Sequence, residues 1–287
     1  MAQLARRPRY ELCARMAKRH SRGIVYVEFL LAFIPIFLLF LGTCQLVLLT
    51  AARLVVSHAA ANGVRSAIVV LEDTADDYGG APRGNLSKGK SDTFAWDSLL
   101  ERLGIGNAGT YTRRTGSRNG AAQVQNGARM AAIRLSAATP LLTLAPKMSA
   151  VVSGDTLERS LVSSVGAQLA FAYGYTEAAA AVVVKRSESS DELAIEPIDP
   201  KGSVTVEVTY LYHCGVPLVR GLMCSSLSSL LDLHANRAGF RNVERLSQFA
   251  NPEALRAFAS SGGRYAILTG EATLSNQGAA YLSGESQ

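Results

Sequence analysis

Catalytic patterns are missing from this sequence. It has no HExxH, no GxSxG and no glycine-rich loop of the kind that cradles phosphate. Histidine is scarce, and His20, His58, His213 and His234 stand in four unrelated contexts. His213 beside Cys214 has no CxxC and no spaced second histidine to complete a metal site, so it reads as a histidine at a strand end. Serines are plentiful, but none has a motif around it. These absences argue against an enzyme and call for no cofactor and no metal. Internal repeats are also lacking.

Charge is missing where it matters most. Phe29 to Ala52 is a run of 24 residues without a single charged residue. About 20 apolar residues span a bilayer as a helix. Acidic residues are nearly absent ahead of that run: residues 1–23 hold Arg6, Arg7, Arg9, Arg15, Lys18, Arg19 and Arg22 against Glu11 alone. The whole net charge of +6 therefore sits in those residues, and the rest of the 287-residue chain is neutral. Such a distribution is a topology signal rather than a DNA-binding surface. It predicts a cytoplasmic N-terminus, a single pass through a membrane, and residues after about 53 on the far side.

Three readings of this N-terminus compete. A secretory signal would have a shorter apolar core, and its small-residue site at Ala59-Ala60-Ala61 lies beyond Arg53 and His58. A lipid anchor at Cys44 has Thr43 where glycine or alanine is expected. A plain uncleaved anchor is the simple alternative. A different feature marks the mouth of the run: Gly23, then Ile24-Val25-Tyr26-Val27, then Glu28 and Phe29.

Basic leader, glycine, four residues, glutamate, aromatic and long apolar helix together resemble the type IV prepilin signal. The run Val25 to Pro35 resembles the start of TadE-like proteins, minor pseudopilins of tight-adherence (Flp) pili. Ala60-Ala61-Asn62-Gly63-Val64-Arg65-Ser66-Ala67 resembles the segment that follows the span in that family. The resemblance covers residues 19–71 and is loose beyond. It implies cleavage between Gly23 and Ile24 by a prepilin peptidase, with Glu28 and Phe29 serving assembly and register. Its implied partners are the membrane and other pilin or pseudopilin subunits, with no nucleic acid.

The rest of the chain predicts an α+β fold: a long N-terminal transmembrane helix extending into a small external domain with helices and an antiparallel sheet. The divisions expected are a leader over 1–23, a span over 24–52, a helix extension over 53–72, a loop-rich insert with a helix over 73–150, and an external domain over 151–287. Leu54, Ala61, Val64, Ile68 and Leu71 fall on one helical face of the extension. Pro35 should kink the helix or shift its register. Residues 73–92 form a loop, Trp96 to Leu103 a short helix, and Gly104 to Gly120 a solvated glycine-rich loop around Arg113, Arg114 and Arg118. Ala121 to Ala138 predicts a helix ending before Pro140. Asp155-Thr156-Leu157-Glu158 has the form of a capping box, opening a helix that should end near Gly174.

Valine patterning then changes the period. Val182-Val183-Val184 and Ser203 to Tyr212 predict an antiparallel pair, the second strand half-buried with Val204, Val206 and Val208 inward. Ser225 to Leu233 suggests a helix, Asn251-Pro252-Glu253 a further helix start, and Tyr265 to Leu274 a final strand. Cys13 lies in the leader and Cys44 in the span. Cys214 and Cys224 remain as a pair in an oxidising compartment, which predicts a disulfide closing a short turn-rich loop.

Two functional classes remain in play. One is a structural pilin-like component of a pilus or related secretion machine, marked by Gly23 and Glu28. The other is a bitopic module that senses or binds a ligand outside the cell and keeps its N-terminal anchor uncleaved. A membrane-anchored hydrolase has no supporting motif.

Overall fold

The computed structural model describes residues 10–87, 127–147, 165–186, 202–227 and 262–275, the side chains of 10–25, 167 and 186 excepted. The architecture is α+β. Helix α1 spans Tyr10–Glu72, 63 residues in one element, or about 95 Å at 1.5 Å per residue. It runs through Pro35 and remains a single helix. Proline there removes one backbone donor, a loss the flanking turns tolerate.

From Ala52 onward α1 forms one side of the core. Ala52, Val56, Ala59, Ala60, Val64, Ala67, Val70 and Leu71 are all buried, recurring at the three- and four-residue steps of one helical face. This stripe differs from the expected one. Val64 and Leu71 belong to it, but Leu54 points outward and is 72% exposed. Close approach explains the difference: where the helix touches the sheet, small residues replace large ones. A Cβ added at Gly63 would meet Val206 Cγ1 at 3.0 Å, and one at Gly270 would meet the Val56 carbonyl oxygen at 2.8 Å.

The sheet has four antiparallel strands in the order β1-β2-β4-β3: β1 is Ala180–Arg186, β2 Ser203–His213, β3 Ser225–Ser226 and β4 Arg264–Ser275. Val182 opposes Val208 and Val184 opposes Val206, so their shared face meets α1. Burying each such valine contributes about 1.5–3 kcal/mol. β2 was expected to be half-buried, yet every residue from Val204 to Leu211 is buried. It lies between β1 and β4, and two of its polar side chains find partners in those strands. Lys185 Nζ lies 2.5 Å from Glu207 Oε2, and the Thr205 and Thr273 hydroxyls are 2.8 Å apart.

Helix α2, Ala128–Leu141, packs on α1 through Met130, Ile133, Ala137 and Leu141. It carries Pro140 in its last turn rather than stopping before it; residues 121–126 lie outside the described ones. Helix α3, Val165–Ala179, passes Gly174 and leads directly into β1. It continues because its end is core: Tyr175 is buried and its hydroxyl donates to the Leu211 carbonyl at 2.8 Å. Ser225-Ser226, expected to be helical, pair instead with Tyr265 and Arg264. The bonded cysteines bring Cys224 back beside Cys214 and deliver the chain to the β4 edge. The expected loop at 73–87 contains a 3-10 turn, Asp76–Tyr78. The expected elements over 88–120, the capping box at 155–158 and the helix start at Asn251 lie outside the described residues.

Arg129, on α2, closes the far end of α1. Its guanidinium donates to the carbonyls of Val70, Asp73, Thr74 and Ala81 and lies 4.6 Å from the Tyr78 ring centroid. A cation at a helix C-terminus also complements the helix dipole.

Candidate assembly surface on the N-terminal helix

The first half of α1 makes little use of the domain. Tyr26, Val27, Phe29, Leu30, Leu31, Ile34 and Ile36 are exposed, as are Leu39, Phe40 and Val47 further along. Among the described residues, this is the one helix long and apolar enough to cross a membrane. Its polar residues are dealt with locally. The hydroxyls of Thr43 and Thr50 donate to the carbonyls of Phe40 and Val47, each at 2.8 Å, so neither needs water.

Gln45 is handled differently. It is fully buried. Its Oε1 accepts from the Val216 N–H at 3.3 Å, and its Nε2 donates to Cys224 Sγ at 4.0 Å. Both partners belong to the loop closed by the Cys214–Cys224 disulfide. The expected pairing is therefore present, with Cα atoms 6.5 Å apart. It holds the loop against the helix as well as stapling the sheet edge. His213 ends β2, as expected, half-buried with its ring 5.5 Å from that of Tyr265. Burial and nearby Arg220 lower its pKa. Cys44 carries no disulfide.

Glu28 and Phe29 stand on the exposed stretch. Glu28 makes no hydrogen bond or ion pair among the described residues. Phe29 begins a ladder: its ring stacks on Phe33 at 5.6 Å and Phe33 on Phe37 at 5.5 Å, one helical turn per step. Gly23 and Ile24 lie within the same helix. Gly23, Ile24, Glu28 and Phe29 thus fall on two consecutive turns, while the cysteines lie at the other end of the exposed segment. Among the described residues no three His, Cys, Asp or Glu side chains gather as a metal site would need.

Residues 23–65 match the sequence model of the TadE-like protein family. No curated protein and no solved structure matches the chain. The TadE-like segment starts at Gly23, includes Glu28 and the phenylalanine ladder, and extends into the buried half of α1 as far as Arg65. It does not reach α2, α3 or the sheet. Within it, Gln45 escaped the reading of the sequence. A glutamine inside an uncharged apolar run is the available signal, because a buried amide needs partners.

Proposed function

We propose that this chain is a minor pilin- or pseudopilin-like structural component in the assembly of a tight-adherence (Flp-type) pilus or a related secretion machine. It sits in the bacterial inner membrane with its basic leader in the cytoplasm and its domain on the far side. The carrying observation is an exposed Glu28, five residues after Gly23, on a projecting apolar helix within the TadE-like segment. A prepilin peptidase cuts after Gly23 and leaves a cationic amine on Ile24. Glu28 then lies one turn along the same helix, near both that amine and the positive helix terminus.

A charged carboxylate at the middle of a membrane span costs about 2.5–3.5 kcal/mol, and less near its end. A leucine would cost nothing, so anchoring alone does not account for Glu28. Between chains it neutralises the N-terminus of a neighbouring subunit and sets the axial register of the packed helices. The role is one of positioning, with no catalytic step.

Two variants test this in a strain lacking the native copy. Glu28→Ala keeps membrane insertion and processing but loses incorporation and pilus assembly. Gly23→Leu blocks processing itself, seen as a larger protein on gels and an uncut N-terminus by mass spectrometry. Full assembly with Glu28→Ala, or a mature pool that still carries residues 1–23, would sink the proposal.

A further inference from the structure

The loop from Cys214 to Cys224 has the form of a second membrane contact. Leu218 is 66% exposed and Leu222 is 82% exposed, although the loop is short and cross-linked. Leu218 also adopts φ +66°, the one non-glycine residue with positive φ among the described residues. Glycine or asparagine would hold that conformation with less strain. A branched apolar residue held there, pointing outward, needs an apolar partner to explain it. Arg220 stands between the two leucines and is exposed, and no acidic residue lies between Cys214 and Leu227.

The position of the loop on α1 identifies that partner. It rests on Gln45 through Val216 and Cys224. Phe29 to Gln45 measures about 24 Å along the helix axis, against roughly 30 Å for a hydrocarbon core. A bilayer entered at Phe29 therefore has its far boundary about 6 Å, or four residues, beyond Gln45, so the loop lies just inside it. From these placements we infer that the disulfide-closed loop inserts Leu218 and Leu222 into the headgroup–acyl boundary of the bilayer that α1 crosses, with Arg220 at the phosphates. The inference rests on the reading of α1 as a membrane span. Apolar side chains at such a boundary bury ~5–10 Å deep, and an arginine beside them is suited to anionic headgroups. Gln45 gains a role too: it fastens the loop to the span so that both meet the membrane at a fixed spacing.

The test uses the full chain reconstituted into phosphatidylcholine–phosphatidylglycerol vesicles that contain lipids brominated at defined chain positions. Leu222→Trp is made with Trp96→Phe, or with Trp96 retained and its signal subtracted if that replacement unfolds the protein. Phe33→Trp reports the span, and Leu274→Trp reports the distal end of β4. The emission of Leu222→Trp falls about two-fold or more with bromines near the headgroup end and less with bromines near the chain end, as a depth of ~5–10 Å requires. Leu274→Trp is unaffected. Quenching of Phe33→Trp without quenching of Leu222→Trp overturns the loop contact and leaves the span standing. Blue-shifted but unquenched Leu222→Trp emission shows a protein covering the loop, and also overturns it. Quenching of neither Phe33→Trp nor Leu222→Trp removes the span and the loop contact together.

Discussion

Replacing Arg129 by methionine removes the guanidinium while filling much of its volume. Four carbonyls lose a donor, but they are not equivalent. Thr74 is exposed and Asp73 is partly so, so water can reach both. Val70 and Ala81 are buried, and each acceptor left without a donor costs about 1–3 kcal/mol. Loss of the cation at the end of α1 adds about 0.3–1 kcal/mol. Desolvation works the other way: burial lowers the Arg129 pKa, although Tyr78 and Asp73 favour the charged form. The expected cost of Arg129→Met is about 3–5 kcal/mol, and about 2–4 °C of Tm is lost per kcal/mol in a domain of this size. Arg129→Lys recovers the charge but not the fork, so it should fall between. Thermal melts of the detergent-solubilised full chain, followed by circular dichroism, measure both. Arg65→Met, at an exposed position on α1, should shift stability by no more than about 0.5 kcal/mol. An Arg129→Met protein that melts with the parent would show that the carbonyls find other donors and that Arg129 does not close the helix.

Two further outcomes can be measured on the same preparation. Gly270→Ala presses a Cβ against α1 backbone, the Val56 oxygen at 2.8 Å and Ser57 N at 2.9 Å; neither can swing aside, so the variant should lose about 1–3 kcal/mol or more, and unchanged urea midpoints would disprove the close approach. His213 is held neutral by burial and by Arg220, below its ordinary value of 6.5, so the unfolded chain takes up the proton first; its contribution is full above about pH 6.5 and is lost as pH falls through the lowered folded value. His213→Asn should flatten the drop in stability between about pH 7 and 5.5, and a drop of the same steepness in that variant would place its origin elsewhere.

What the sequence made legible was whatever rests on a long or strongly contrasted pattern. The uncharged run from Phe29 to Ala52 lies in one long helix, Val204, Val206 and Val208 lie in a strand, although one buried on both faces, and Cys214 and Cys224 are bonded as expected. The α1 stripe was misjudged at Leu54 because the buried side is rich in alanine and glycine, which carry little hydrophobic contrast. Glu207 pointed to a solvated strand face, since alternation cannot show that Lys185 sits diagonally across in the next strand. Arg129 carries no local signal of its role within the helix expected over 121–138. Its four acceptors lie between 48 and 59 residues away along the chain, a distance no local pattern encodes. Of the candidate site, Gly23, Ile24, Glu28 and Phe29 were singled out by resemblance to the prepilin signal, and the structure places them on one helix, whereas the contact of Gln45 with the disulfide loop joins residues 171 apart.

The continuity of α1 has a mechanical consequence. Its membrane-crossing stretch and its buried stretch are one helix with no linker between them, so the domain has no orientation of its own. The extension beyond Arg53 acts as a lever arm of roughly 30 Å. A tilt of about 20°, ordinary for a membrane helix, carries its Glu72 end sideways by about 10 Å. Rotation of the span about its axis turns the sheet by the same angle. Any contact that fixes the tilt and rotation of the span therefore also fixes the height of the far end of the domain above the bilayer and the direction its sheet faces.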